Sequence, residues 1–476
     1  MSKAYHSESD QKKFDRYNTD AIWKNDKKHH LHPWQIFDSF HKEGALIIAE
    51  GDGCYIYDTD GQRYLDAVGG LWCNNIGLGR ADMAQAIAEQ VTRMSYASPF
   101  VDMGNIPAAE LSAKIAQLAP GSLNHVFFTT GGSTAIDTTF RLIQFYQYCR
   151  GKENKKHIIA LKGAYHGSTY AAMSIGGKKA DHVPEFHYIT DYIHHVSSPN
   201  YYRAPEGLTE SEFLESLVQE FEKKILTIKP ENVAAFFAEP IQGAGGVIVP
   251  PKGYHKKIWE ICKKYDILYV SDEVVTAFGR LGEWFASEER FGIQPDIITS
   301  AKGISSGYLP MGACIFTDEI FEVISAPNPE RLFANGYTYS GHPVCAAAAL
   351  KNIEILESEN ILGNVRDVGL YFEQQLHTLR DLPIVGDVRG SHFMMCVEFV
   401  SNQETKICFP DEVDIGKRIS NHADSLGLIV RPIGHLNVMS PPLIMTREQV
   451  DFTVTTLRKS IEVVMENLRK EGLWQH

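Results

Sequence analysis

Five short apolar runs, each ending in polar residues or glycine, constrain this chain more than any other feature. They are HVFFTT (125–130), HIIALKG (157–163), VAAFFAEP (233–240), ILYVSDEV (267–274) and DIITSAKG (296–303), with helix-like stretches between them. A run that is apolar throughout suits a strand buried on both faces. Such strands, separated by helices, build a mainly parallel sheet covered on both sides. Within 253–266, Ile258, Ile261 and Cys262 share one helical face while lysines take the other. Beyond about residue 341 the pattern returns to mixed helices and short strands, closing with a long helical stretch near 447–470. The predicted fold class is therefore α/β, a mainly parallel central sheet flanked by helices plus a smaller α+β domain. A chain of 476 residues also exceeds one ordinary core. The expected division is 1–70 (N-terminal arm and part of the small domain), 71–340 (large domain) and 341–476 (C-terminal small domain). Residues 1 to about 30 read as a polar arm that orders only against something else. Residues 45–68 read as short strands turning at Gly51–Gly53 and at Asp60–Gly61.

The runs matter for where they end. In an open parallel sheet, ligands bind beyond the C-terminal ends of the strands. These ends carry Thr129 to Ser133, Tyr165, His166, Glu239, Asp272, Glu273 and Lys302. Glu239 and Asp272 are 33 residues apart, and Asp272 and Lys302 are 30 apart. Each gap is about one strand–helix–strand unit, so consecutive units deliver these groups to one edge and one pocket.

Taken singly, each group has a plain alternative. Gly131–Gly132 and Ser133 open a helix with apolar face Ile136, Phe140 and Ile143. Helix amides with glycines allowing close approach suit a phosphate, yet an ordinary Ser-capped turn reads the same way. The lysine of a P-loop is absent. Tyr165, in GAYHGS, can stack on a flat heteroaromatic ring or simply pack in the core. Asp272, ending an apolar strand, needs a partner; a cationic ring nitrogen and a structural ion pair both qualify. Lys302, among small residues after a strand, can be a poorly solvated nucleophilic amine or a surface lysine. Glu239 precedes glycines 243, 245 and 246, which suggest backbone passing close to a ligand. Together these groups describe a phosphate cradle, a ring stacker, an acid for a pyridine nitrogen and a Schiff-base lysine. That is the requirement of pyridoxal 5'-phosphate.

Composition removes other classes. The net charge of −13 and absence of a basic face argue against nucleic acid. No run of about 18 apolar residues exists, so no membrane span is expected. The eight cysteines are scattered, without a CxxC pair, and read as reduced thiols. With a polar N-terminus, the expected location is cytoplasmic. No metal is expected: His29, His30 and His32 lack cysteines or carboxylates at ligand spacing, and His194–His195 is the same case. GKENKK (151–156) reads as a surface loop.

The segments GLWCNNIGLGR (70–80), TTGGSTAIDT (129–138), YHGS (165–168), AEPIQGAGGVIVPP (238–251), the DEV at 272–274, AKG (301–303), TYSGHPV (338–344) and RP (431–432) agree in order, spacing and context with one family. The chain resembles the class III (omega) aminotransferases of fold type I, from about residue 30 to the C-terminal helix. The resemblance implies that Lys302 forms the Schiff base and shuttles protons, and that Asp272 keeps the pyridinium protonated. Val274 and Tyr165 would cover the two ring faces. His166 would belong to the cofactor site, and Glu239 would sit near the cofactor and help position substrate or Asp272. Gly132 and Ser133 would hold the phosphate, and Thr338 would reach it from a neighbouring subunit. The last role implies an obligatory homodimer with shared sites; whether dimers pair into tetramers stays open. The resemblance also implies that Trp72 lines the substrate pocket and Arg431 binds the acceptor carboxylate, for which its forked guanidinium is suited. Many relatives read GSEA where this chain has Gly132-Ser133-Thr134-Ala135, so the early helix acid is missing and Asp137 follows one turn later.

The expected activity is amino transfer from a primary amine, polyamine or omega-amino acid to a 2-oxo acid, pyruvate foremost, giving alanine. The runner-up is another reaction of the same family on the same cofactor, decarboxylation-dependent transamination or an aminomutase step. A nicotinamide oxidoreductase could share the doubly wound sheet but lacks an intact dinucleotide fingerprint. A catalytically dead scaffold would have no need of Lys302, Asp272 and the glycine turn.

Overall fold

The computed structural model describes residues 13–475. Three short strands, β1 (Ile48–Asp52), β2 (Tyr55–Asp58) and β3 (Arg63–Asp66), form an antiparallel meander that turns at Gly53 and at Asp60–Gly61. The central sheet follows: β4 (His125–Thr129), β5 (His157–Leu161), β6 (Ile193–Val196), β7 (Val233–Ala238), β8 (Leu268–Asp272), β9 (Ile297–Ser300) and β10 (Gly312–Phe316). Its order is β4-β10-β9-β8-β7-β5-β6, parallel throughout from β9 to β6. β10 runs antiparallel to both neighbours. The five apolar runs became β4, β5, β7, β8 and β9. The sequence pattern missed β6, whose IHHV carries two histidines, and β10, whose GACIF begins with small residues.

The pleat explains why these runs are apolar throughout. Side chains alternate between faces, so Phe237 and Val270 enter one buried cluster while Phe236 and Tyr269 enter the other. The helix Gly132–Cys149 covers the first face through Ile136, Phe140 and Ile143. The helices Glu210–Ile228 and Tyr254–Lys264 cover the second, through Phe221, Ile258 and Cys262. Each fully buried phenylalanine on β7 contributes about 1.5–3 kcal/mol in apolar transfer.

The C-terminal part carries β11 (Val385–Ser391), β12 (Met394–Phe399), β13 (Leu428–Ile429), β14 (Arg431–Ile433) and β15 (Leu436–Met439). Four of them form an antiparallel sheet, β11-β12-β15-β14, while β13 adds in parallel to β3. The last long helix, Arg447–Lys470, opens on a capping box in which Thr446 and Gln449 satisfy each other's backbone N–H groups. Among the described residues, no helix is long and apolar enough to cross a membrane.

The N-terminal arm departs from expectation. Residues 1–12 lie outside the described residues, but 13–19 dock on the chain's own first sheet. Phe14 is buried and stacks on Tyr57 with ring centroids 5.9 Å apart, and Arg16 bonds Glu50 at 2.6 Å. A polar stretch needs only one aromatic anchor and one ion pair to dock, and average polarity hides both.

Candidate active site

Asp272 ends β8, and Lys302, Glu239 and Tyr165 follow β9, β7 and β5; the four strands are consecutive neighbours in the sheet. Their grouping is therefore a consequence of strand order. Asp272 ends β8 and is buried. Its Oδ2 lies 2.7 Å from His166 Nδ1, and its Oδ1 accepts from the Val274 N–H and the Thr299 hydroxyl, each at 3.1 Å. Burial alone would lower the His166 pKa, but the hydrogen bond and charge of Asp272 outweigh it and the net shift is upward. The His166 ring nitrogen and the two Oδ1 contacts together fix the plane of the Asp272 carboxyl group. His166 Nε2 is buried without a hydrogen-bond partner.

The adjacent Glu273 has a different fate because the pleat turns it the other way. It is fully buried and accepts from the Ala286 and Ser287 N–H groups and the Ser287 and Thr276 hydroxyls. It holds the start of the helix Ala286–Phe291 and is structural. Glu239 accepts from the Tyr165 N–H at 3.1 Å and the Gly243 N–H at 2.7 Å, so it ties the strand end to two loops. Burial, reinforced by the Asp272 charge, pushes its carboxyl up to about 7. Glu239 makes no hydrogen bond to Asp272, whose side-chain partners among the described residues are His166, the Val274 N–H and Thr299.

Lys302 begins a short turn after β9 with φ of 40°, in the left-handed region where non-glycine residues are strained. Its Nζ lies 5.8 Å from the centroid of the Trp72 ring. Desolvation lowers its pKa, opposed by the charges of Asp272 and Glu239, which leaves more of the amine neutral near pH 7 than at a surface site. Trp72 is also in the left-handed region, at φ 63°, and is buried among Ile241, Val247, Leu436 and Val438. The close approach around 243–246 brings the glycines against other parts of the protein. A Cβ at Gly243 would clash with the Trp72 ring, and one at Gly245 would sit 2.5 Å from the Gly163 carbonyl. Gly243→Ala is accordingly expected to lose about 1–3 kcal/mol of stability, read from denaturant unfolding; an unchanged midpoint would mean that Trp72 moves freely.

The glycine turn after β4 is stitched to the same pocket. The helix Gly132–Cys149 has no side-chain cap, so its first amides are open. The Ser133 hydroxyl accepts from the Ser168 N–H at 3.0 Å, and a Cβ at Gly132 would meet the Val274 methyls at 3.1 Å. Asp137 accepts from the Thr169 hydroxyl at 2.7 Å and the Ala172 N–H at 3.0 Å, which anchors the neighbouring helix Tyr170–Ile175. An open helix N-terminus, a lysine with lowered pKa and a buried carboxylate steered by an imidazole fit pyridoxal phosphate as a set.

Arg431 opens β14 and reaches the site from the C-terminal sheet. Its pKa is lowered by burial and raised by Tyr165, and among the described residues its guanidinium has no hydrogen bond or ion pair. Thr338 stands apart from this group: its carbonyl accepts from the Tyr96 hydroxyl at 3.0 Å in the loop before the helix Pro343–Ser358. Two neighbours escaped the sequence reading. Thr299 is the cross-strand partner of Asp272, a relation that exists only once β8 and β9 are in register. Trp34 meets Tyr165 edge-on with centroids 6.3 Å apart, and no pattern in the N-terminal segment announces it.

The family model "Aminotransferase class-III" matches residues 37–461. The chain is 42% identical over 437 residues to a putrescine–pyruvate aminotransferase of Pseudomonas aeruginosa, covering 92% of this chain and 94% of that protein. It is 38% identical over 438 residues to the mitochondrial gamma-aminobutyrate transaminase 1 of Oryza sativa subsp. indica, covering 91% of this chain and 84% of that protein. Among solved structures, a thermostable (S)-enantioselective omega-transaminase from Thermomicrobium roseum superposes with a TM-score of 0.91 at 39% identity, covering 94% of this chain and 99% of that one. An omega-transaminase from Pseudomonas jessenii in complex with PMP gives 0.91 at 34% identity, covering 94% and 98%.

Proposed function

This chain belongs to the pyridoxal-phosphate-dependent class-III aminotransferases, which move an amino group from an amine to a 2-oxo acid, and we propose that its donor is a short diamine of the putrescine type and its acceptor pyruvate. The observation that carries this reading is the grouping of Lys302 beside the Trp72 ring with Arg431, which feels the charge of Lys302 and the Tyr165 hydroxyl. Aromatic faces accept a distal ammonium through cation–π attraction, and Lys302 Nζ already sits over the ring of Trp72. Arg431, unpaired among the described residues, suits the carboxylate of the acceptor. The nearness in sequence to a putrescine–pyruvate aminotransferase supports the same pair.

Bound pyridoxal phosphate supplies an electron sink for the carbon that loses its proton. The chain's residues do the rest. Gly132 and Ser133 would hold the phosphate on open helix amides. Asp272 would hold the positive charge of the ring nitrogen, and His166 and Thr299 would keep its carboxylate from turning away. Tyr165 and Val274 would cover the ring faces, and Glu239 would set the Tyr165 backbone. Lys302 would offer its neutral amine as nucleophile and carry the proton at Nζ. In this reading 71–340 forms the cofactor-binding body, and 1–70 with 341–476 forms the smaller one that brings Arg431.

The enzyme acts as a homodimer in this reading. Met94, Tyr96, Phe100, Val101, Met103 and Ile106 are exposed, and Tyr96 and Phe100 touch the loop 336–338. An apolar patch of this kind marks a protein interface and would carry Thr338 to the site of a second copy. All eight cysteines are free, which suits a reducing cytoplasm.

A donor panel with pyruvate, scored by alanine formed, tests the donor: putrescine should exceed beta-alanine and 4-aminobutyrate in kcat/KM, and the reverse order would overturn it. Arg431→Ala is expected to raise KM for pyruvate by about 10–100-fold, the cost of one charge-assisted bidentate pair. The half-reaction with diamine, followed in single turnover, should change little. Equal damage to both half-reactions would show that Arg431 shapes the cleft rather than binding the carboxylate.

A further inference from the structure

We propose that Asp26, His30 and His32 form a site for one divalent transition-metal ion of the zinc type, and that its occupancy pins the segment carrying Trp34 against Tyr165. The helix Thr19–His29 places Asp26 in its last turn, one turn before His30. The chain leaves the helix at His30 in extended conformation, which turns His32 back toward the same carboxylate. Asp26 Oδ1 lies 3.1 Å from His30 Nδ1, and Asp26 Oδ2 lies 2.9 Å from His32 Nε2. The three ligand atoms all fall within 4.8 Å of one another. In a tetrahedral site with metal–ligand bonds near 2.0–2.1 Å, ligand atoms sit about 3.3 Å apart, so the widest of these separations has to close by no more than about 1.5 Å to admit an ion.

Two imidazoles and one carboxylate, with a fourth position open to water, are a donor set of intermediate softness that suits zinc-type ions over magnesium or calcium. Each imidazole has Asp26 as its hydrogen-bond partner and no other among the described residues. The His32 ring also packs on Phe40 with centroids 5.0 Å apart, which gives the site one apolar wall. The sequence reading set these histidines aside for want of a carboxylate at ligand spacing; Asp26 supplies it, and His29, which points elsewhere in the helix turn, is not part of the group. Trp34 follows His32 by two residues, has φ of 56° and is exposed except for its edge contact with Tyr165. A metal on His32 would fix the root of that short segment and so the placement of Trp34 at the cleft. That consequence rests on the reading of Tyr165 as a cleft residue; the metal site does not.

The test uses the holoenzyme, stripped with a chelator and titrated with Co(II). One Co(II) per chain should bind with the intense visible bands of tetrahedral coordination, and equimolar Zn(II) should displace it. His32→Ala and Asp26→Asn should each weaken binding by at least about tenfold. Zn(II) should also slow limited proteolysis between His32 and Gly44 in the wild type and not in His32→Ala. Absence of stoichiometric binding overturns the site, as does binding that survives both substitutions. Near-ultraviolet sulfur-to-cobalt absorption would also overturn it, since the proposed site has no sulfur and a group with a cysteine, such as Glu398, Cys408 and His435, would then hold the ion. Binding without protection from proteolysis overturns the pinning. Neither readout involves turnover, so an error in the proposed donor would leave both intact.

Discussion

Lys302→Ala is expected to lower turnover by at least about 10⁴-fold, on the scale seen when a covalent catalytic nucleophile is removed. The position carries both proposed tasks, attack by a neutral amine and transfer of a proton at Nζ, and the charged groups that act on it most are Asp272 and Glu239. The substitution should also remove the visible absorbance of lysine-bound cofactor while leaving the far-ultraviolet circular dichroism unchanged. Lys302→Arg sharpens the result. It keeps a cation beside Asp272 and Trp72, but a guanidinium stays protonated and cannot act as a nucleophile. It should be as inactive as the alanine variant. Activity above a tenth of wild type in either would sink the assignment.

Asp272→Asn should cost about 10²–10³-fold in kcat, the range for deleting one preorganised electrostatic contact to developing charge. The amide keeps an oxygen for Val274 N–H and Thr299, so the strand end should hold its shape. What it loses is the negative charge, and with it the acceptor that the raised His166 pKa reports. Stopped-flow measurement should place the loss in proton removal from the substrate carbon, with a larger deuterium isotope effect than wild type. A loss confined to cofactor affinity would make Asp272 an anchor and nothing more.

These two residues are legible in the sequence alone because the local pattern around them is strong. A strand buried on both faces must be apolar along its length, so a carboxylate or lysine at its end stands out. The even spacing of Glu239, Asp272 and Lys302 then follows from one strand–helix–strand unit per residue. The arm around Phe14 and the strand β6 are not legible in this way. One anchor residue decides the first, and histidines facing a sheet edge obscure the second; His194 bonds His157 across β5 and β6 at 2.8 Å.

The sequence by itself determined the alternation of strand and helix, the edge on which the chemistry gathers, and the family, because these depend on residues near one another along the chain. Tertiary structure alone decided the rest. It inserted β10 antiparallel between β4 and β9. It turned Asp272 toward His166 and Glu273 toward Ser287, since the pleat sends neighbours to opposite faces. It set Gly243 against the ring of Trp72, and it brought Arg431 in from β14 with its guanidinium unpaired among the described residues. Each of these is a contact between residues distant in sequence, and periodicity carries no information about which distant residues will meet.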